Sequence, residues 1–301
     1  MPNFKQSVLI PVIFVLLWST GFIGARYGLP YADAVNFIEW RFLIAGSTMA
    51  ILAGIAGVRW PRGKLLLHIC IAGLMLQGFY IWGVFVSIKL GLAAGVTSLI
   101  TALQPLLTGL FAGWMLKERV TFWQFVGIIL GLIGIFIVLS DRIAVPVLSF
   151  TMIAPACIAV LSITLGSLYQ KRFCSNVDFR SAAALQFGTC AVVFAPFALW
   201  GGGSVTWNGH FILALAWASW GLSVMTLAVY YYLIRTGSAA KVSSLMYLVP
   251  PVTAIATWAL FDEKIGLHAL IGMVVVIVAV ALVMSGGIKG MGLRQNTLNR
   301  K

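Results

Sequence analysis

Apolar runs of membrane-spanning length recur along the whole of this 301-residue chain, divided only by short polar breaks. Each exceeds the roughly 18 residues that mark a helix able to cross the hydrocarbon of a bilayer. In that medium a backbone N–H or C=O finds no water, so the chain must satisfy its own hydrogen bonds as a helix or a closed barrel. Barrel strands alternate polar and apolar residues, and these runs do not. Ten spans are predicted, at approximately 8–28, 34–57, 65–88, 92–115, 122–140, 147–170, 181–200, 211–233, 242–261 and 267–286. The expected fold class is an all-α polytopic membrane protein with ten transmembrane helices. Only 9% of the residues are charged, against about a quarter in soluble domains. The loops are too short for a soluble domain, so function must reside within the bundle.

The chain also repeats itself. Gly91–Glu118 returns as Gly237–Glu263, with Gly91/Gly237, Ala93/Ala239, Ala94/Ala240, Val96/Val242, Ser98/Ser244, Leu99/Leu245 and Pro105/Pro251 identical at an offset of 146. The match resumes one residue shorter at Glu118/Glu263, Gly127/Gly272 and Ser140/Ser285. An apolar segment that keeps its proline and its terminal acid over such a distance is an internal duplication, the signature of a repeat-built transporter. The halves are expected at 1–144 and 145–288, followed by a basic cytoplasmic tail at 289–301.

Loop charges orient the spans. With the N-terminus inside, fifteen Lys and Arg fall on the cytoplasmic side: Lys5, Arg59, Arg62, Lys64, Lys117, Arg119, Lys171, Arg172, Arg180, Arg235, Lys241, Lys289, Arg294, Arg300 and Lys301. The other side holds four, Arg26, Lys89, Arg142 and Lys264. The positive-inside rule then puts both termini in the cytoplasm. Five spans per half invert the second half relative to the first. Such halves are related by a pseudo-twofold axis in the membrane plane, with a binding site near the midplane. Exchanging their conformations opens that site to one face and then the other.

The same charge distribution accounts for the net charge of +13 without nucleic acid, because the basic residues are scattered through short loops. Cys70, Cys157, Cys174 and Cys190 have no CxxC spacing, and no disulfide is expected. The opening MPNFKQ and its apolar run lack a small-residue cleavage site and read as a first helix that stays in the membrane. His68, His210 and His268 lie far apart, and no Walker A lysine motif occurs. Neither a metal site, a cofactor nor ATP-driven chemistry is expected.

Two five-helix halves, each ending in a Pro…Glu…Gly pattern (Pro105, Glu118, Gly127; Pro251, Glu263, Gly272), resemble the drug/metabolite transporter superfamily, and within it the ten-helix EamA-like branch. The stretch Trp18–Pro30, the Trp40–Arg41–Phe42 turn and Leu168–Phe173 add to the resemblance, which covers roughly residues 8–286. It implies a central cavity surrounded by helices 1, 3, 4, 6, 8 and 9, with helices 5 and 10 peripheral. It also implies export of amino acids and related metabolites, while other members move sugars, nucleosides or drugs.

Several intramembrane residues are candidates for solute contact. Pro105 and Pro251 each free a backbone carbonyl, which is tolerated where the backbone lines a cavity, so they read as hinges or as packing kinks. Gln104 and Tyr247 lie beside these breaks, and Gln77 and Tyr80 share a face of helix 3 at i, i+3 spacing. Trp18 and Thr20 in helix 1, Tyr169 in helix 6 and Tyr230 in helix 8 are further cavity candidates. Each of these polar groups can equally serve as a helix–helix hydrogen bond. Gly127, Gly131 and Gly134 have the spacing for close helix packing.

Glu39 and Arg41 are the ionisable pair inside a span, and their i, i+2 spacing sends them to different faces. They read as a coupling carboxylate and a solute-carboxylate anchor, or as a structural network in which Arg26 neutralises Glu39. Arg26 and Arg172, symmetry mates at opposite membrane faces, read as snorkelling anchors.

The function expected is a secondary transporter in the inner or plasma membrane, exporting small organic metabolites. Amino acids, hydrophobic or aromatic, are the leading solutes, given an aromatic, amide-lined cavity with few charges. With no acid deep in the bundle, facilitated or weakly coupled export is favoured. A multidrug, sugar or nucleoside transporter is the alternative, and a membrane-embedded enzyme or sensor subunit a distant one. A single chain carrying both halves can act as a monomer within the lipid bilayer.

Overall fold

In a computed structural model, residues 4–116, 121–143, 149–201, 203–236, 242, 245–261, 266–268, 270–279 and 282 are described. Glu118, Glu263, Gly237 and the tail 289–301 lie outside the described residues. The chain is helical throughout them. Helices α1 (Phe4–Gly28), α2 (Ala34–Ile55), α3 (Lys64–Lys89), α5 (Phe122–Ile143), α6 (Phe150–Phe173), α7 (Phe179–Trp200) and α8 (Gly209–Arg235) are joined by short connections. Helix α4 comes in two pieces, Ala94–Thr101 and Gln104–Leu116. Helices α9 (Leu245–Leu260) and α10 (Leu270–Ala279) complete the bundle. Among the described residues the extended pairing is a lone bridge between Ala32 and Val205.

Seven helices (α1 to α4 and α6 to α8) are long and apolar enough to cross a membrane. Much of their surface faces outward and is apolar, with Ile51, Ile55, Phe197, Leu199 and Trp200 well exposed. Such a surface suits lipid rather than water. Where helices begin beside polar loops, a side chain caps the first turn. Asp33 accepts from the Val35 N–H, Ser149 from Thr151, Asp178 from Arg180 and Asn208 from Phe211. At the other end of α1, the Lys89 ammonium donates to the Leu29 and Ala32 carbonyls, at 2.9 and 3.1 Å. A cation there also meets the negative end of the helix dipole. Similarly, Arg172 donates to the Met115 carbonyl near the end of α4, at 3.0 Å.

Two helices depart from α geometry. Leu74–Phe79 in α3 and Trp217–Thr226 in α8 are π-helical. Such turns carry an extra residue, are rare and occur most often at functional sites. In α8 the Ser223 and Thr226 hydroxyls donate to carbonyls five residues back, those of Ala218 and Gly221, each at 3.0 Å. Applying the offset of 146 to 74–79 gives 220–225, inside the second π segment. The irregularity is therefore repeated along with the sequence.

The two prolines of the repeat also sit at matching breaks. Helix α4 stops at Thr101 and restarts at Gln104, just before Pro105. Helix α9 begins as a 3-10 turn at Leu245–Leu248 and becomes α-helical from Val249, just before Pro250 and Pro251. Proline fits the first turn of a helix, where its absent N–H has no intrahelical partner to lose.

Helices cross closely where side chains are small. At Gly83 of α3 a Cβ would lie 2.2 Å from the Pro155 carbonyl oxygen and 2.9 Å from the Ala159 Cβ of α6. Gly91, the first residue of the repeated segment, has φ +104°, which disfavours any side chain. Between the halves, the Tyr247 ring lies over Gly131 of α5, and its hydroxyl donates to the Ile128 carbonyl at 3.2 Å. The turn after α1 is tied to the loop before α8: Asp33 N–H bonds the Ser204 carbonyl and Thr206 N–H the Tyr31 carbonyl. His210 stacks on Tyr31 and hydrogen-bonds the Tyr27 hydroxyl.

Replacing Gly83 by Ala must push α3 away from the backbone of α6. The expected loss is about 1–3 kcal/mol, as for other overpacked cores, measured as a lower unfolding midpoint of the purified protein in detergent. An unchanged midpoint would contradict the close crossing.

Candidate functional site

A cavity opens between α1, α2, α3 and α8, enclosing about 620 Å³ of non-atom space, part of it open to the surroundings. Its aromatic wall is a linked group. Trp18 Nε1 donates to the Tyr80 hydroxyl at 3.0 Å, and the Trp18 ring lies 5.8 Å from that of Tyr80 and 5.6 Å from that of Tyr230. Phe14 backs the group, stacked on Tyr230 at 5.9 Å. Gln77 and Gly21 add a polar amide and an open stretch of backbone. Arg41 supplies the single charge on the lining among the described residues; its Nε donates to the Ser223 Oγ at 2.8 Å.

The two π-containing helices contribute equivalent positions. Leu76 and Leu222, Tyr80 and Thr226, Ile81 and Leu227, and Val84 and Tyr230 all line the cavity, each pair related by the offset of 146. Four such pairs therefore line one cavity, two helices of the sequence repeat meeting there.

Of the sequence candidates, Trp18, Gln77, Tyr80, Tyr230 and Arg41 come together here. The others lie elsewhere. Thr20 accepts from Trp217 Nε1 at 3.0 Å on the outer side of the bundle. Tyr169 bonds His68 Nδ1 at 2.7 Å and packs on Phe173. Tyr247 is fully buried among Leu99, Ala102 and Val276. Gln104 is buried with no partner for its Oε1, and neither it, Pro105 nor Pro251 lines the cavity. The proline breaks pack α4 and α9 against neighbouring helices, and the open space forms one helix over, where π segments widen the backbone.

Glu39 and Arg41 part company as their spacing predicts. Glu39 is buried toward α7, near Cys190, and its Oε2 has no partner. Arg41 turns to the cavity. Arg26 lies half-buried at the end of α1. Helix α2 is thus part of the lining, whereas of the six helices expected there α1, α3 and α8 contribute and, among the described residues, α4, α6 and α9 do not. The contributions of Ser223, Thr226 and Leu222 were not singled out in the sequence; extending the offset from the fourth span back to the third would have paired them with Gln77, Tyr80 and Leu76.

A smaller space follows on the other side of Tyr230, bounded by Gln170, Cys174, Ser175, Tyr231 and Arg235. Tyr230 borders both, so its ring separates the main cavity from the end of the bundle that carries Arg235 and the α6–α7 loop.

The comparisons with known proteins agree with a transport cavity. A model of the EamA-like transporter family matches residues 6–140 and again residues 150–285. The chain belongs to the EamA-like transporter family. It is 25% identical to the uncharacterized transporter YvbV of Bacillus subtilis (strain 168), over 94% of this chain and 92% of that one. A probable terminal-alkyne amino-acid exporter of Streptantibioticus cattleyicolor is 25% identical over 93% of each chain. The inner membrane transporter YedA of Escherichia coli (strain K12), itself uncharacterized, is 26% identical over 94% of this chain and 93% of that one. A crystal structure with 20% sequence identity superposes with a TM-score of 0.77, covering 93% of this chain and 98% of the other, which shows a shared fold. The protein is a multi-pass membrane transporter rather than an enzyme, with a small-molecule substrate and a lipid environment.

Cys174, at the end of α6, lets the smaller space be probed. Burial pushes its thiol up to about 11, where the neutral form persists at physiological pH. In a variant keeping Cys174 as its sole cysteine, alkylation should be slow at pH 7 and rise about tenfold per pH unit, still climbing at pH 10. A rate that levels off near pH 9 would show an ordinary, solvated thiol.

Proposed function

We propose that this family member is a secondary exporter of small organic metabolites, working by alternating access between two inverted five-helix halves. The observation that carries the reading is the cavity walled by four symmetry-related pairs from α3 and α8. A site on the pseudo-twofold axis is equally accessible to two conformations that the axis interchanges, the requirement for alternating access. The halves are 1–144 and 145–288, followed by the basic segment 289–301; the two ranges matched by the family model support that division. Ten spans are supported by seven helices of spanning length together with three shorter apolar ones, Phe125–Gly134, Leu245–Leu260 and Leu270–Ala279. The excess of Lys and Arg on alternate loops supports cytoplasmic termini.

Amino acids with hydrophobic or aromatic side chains are the leading solutes. The Trp18, Tyr80 and Tyr230 rings supply an apolar wall with hydroxyl edges, and one relative bears the name of an amino-acid exporter. Displacing Tyr230 from between the two spaces opens the cavity toward the Arg235 end, the side that the loop charges assign to the cytoplasm, and so admits the solute that is to be exported. Both halves on one chain make a monomer sufficient.

Glu39 is turned away from the cavity, so coupling to protons through it is not part of the mechanism. Liposomes loaded with a labelled aromatic amino acid should release it with or without a pH gradient, and Glu39→Gln should change the rate by less than about twofold. An efflux that vanishes in that variant, while the protein remains folded, would make the carboxylate the coupling group. No protein-dependent efflux of aromatic, aliphatic or polar amino acids would remove amino acids as the solute class.

A further inference from the structure

We infer that the cavity recognises its solute by a carboxylate held at Arg41, with an apolar or aromatic body against Trp18, Tyr80 and Tyr230, and that it discriminates against amines lacking a carboxylate. The inference rests on the transport reading for its biological setting, but the binding chemistry stands on the cavity alone.

Arg41 is only 6% exposed and lies inside a membrane-spanning helix, where an arginine is strongly disfavoured unless something compensates it. Its Nε is used by Ser223, and the Phe85 ring lies 6.0 Å from the guanidinium carbon. Among the described residues no carboxylate lines the cavity with it. A guanidinium carries five donors in a rigid fork. The hydrogen bond that fixes Nε leaves the terminal nitrogens as the groups able to meet a planar, two-oxygen anion.

Ser223 makes the fork's direction definite. Its hydroxyl accepts from Arg41 and donates to the Ala218 carbonyl, five residues back in the π segment of α8. The serine can turn away only by giving up both of these hydrogen bonds. The opposite wall offers what the rest of a solute needs. The Tyr230 residue lines that wall, with its hydroxyl buried near Ser167. Trp18 and Tyr80 satisfy each other and present mainly ring surface.

The charge inventory sets the selectivity. One fixed cation and no fixed anion, in a low-dielectric site, favour a net-negative or carboxylate-bearing solute and repel a bare ammonium. An α-amino group on the same solute is tolerated by the aromatic faces through cation–π contact. The carboxylate is the common requirement of organic acids and amino acids, and the probes below separate the two.

Three compounds isolate the groups: 3-phenylpropanoate has the carboxylate alone, phenylalanine has both groups, and 2-phenylethylamine has the amine alone. Calorimetric titration of the purified full chain in detergent should show both carboxylates binding at least tenfold more tightly than the amine. Equal affinity for all three, tighter binding of the amine, or no binding by any would overturn the assignment, and none of these readings needs a variant. If phenylalanine binds as tightly as phenylpropanoate the site serves amino acids; if phenylpropanoate is tighter by tenfold it serves organic acids. Both results keep the anchor. Arg41→Gln should lose at least tenfold for the carboxylates and leave the amine unchanged, and Arg41→Lys should recover part of the loss. Carboxylate binding that is unaffected in Arg41→Gln would place the anchor elsewhere. Counterflow of labelled phenylalanine in liposomes tests the transport reading separately. Selective binding without counterflow removes transport and keeps the carboxylate site, whereas counterflow insensitive to Arg41→Gln does the reverse.

Discussion

Hydrocarbon gives a backbone no hydrogen-bonding partner, and this single constraint governs where the protein is regular and where it is not. Each apolar run closes its own hydrogen bonds as a helix. Among the described residues four departures stand out, two breaks and two π segments. The breaks in α4 and α9 come just before Pro105 and Pro250–Pro251, residues that need no N–H partner in a first turn. The π segments of α3 and α8 keep a continuous hydrogen-bonded backbone, and in α8 two hydroxyls double the bonding to carbonyls five residues back. Open space in the bundle is found beside the second kind of irregularity rather than the first.

That distribution has a physical reason. A π turn widens the helix and turns the residues beyond it by about 100°, the angle of one residue at 3.6 per turn. It can therefore aim two successive groups of side chains at one space without breaking the helix. In α3, Leu76 and Gln77 within the segment and Tyr80, Ile81 and Val84 after it all reach the same cavity. In α8, Leu222 and Thr226 within the segment and Leu227 and Tyr230 after it do the same. The close crossing at Gly83 holds α3 hard against α6 on its far side, so the widened face has only the cavity to fill.

Much of this was legible beforehand, and the parts that were not share a cause. Apolar run length located the helices, because the medium leaves no alternative to them. The aromatic wall of Trp18, Tyr80 and Tyr230, with Gln77, was legible because polar and aromatic groups stand out in a lipid-soluble sequence. The fate of Gln104 and Tyr247 was not. Both are polar and flank a proline, yet Tyr247 finds a carbonyl on α5 and Gln104 is enclosed by packing, which depends on a neighbour no pattern announces. Nor do π segments have a composition of their own: LMLQGF and WASWGLSVMT read as ordinary helix. Arg41 was visible as a charge in a span, but which wall it faced depended on how α2 rolls against α7 and α8. Its partner Ser223 carries no signal at all outside the repeat.

The matched π segments also date themselves. An extra residue inserted into a helix is easily lost and has no reason to arise twice at the same place in two halves that share few identities. On the proposed inverted-repeat reading, its presence at one offset in both α3 and α8 puts the insertion in the ancestral half, before the chain was doubled. Such an ancestor would have formed its cavity by pairing with an inverted copy of itself, contributing two identical walls. Fusion freed the walls to diverge, and a tyrosine now stands at position 80 where its mate at 226 is a threonine. The asymmetry of the site is thus younger than the bend in the backbone that made the site.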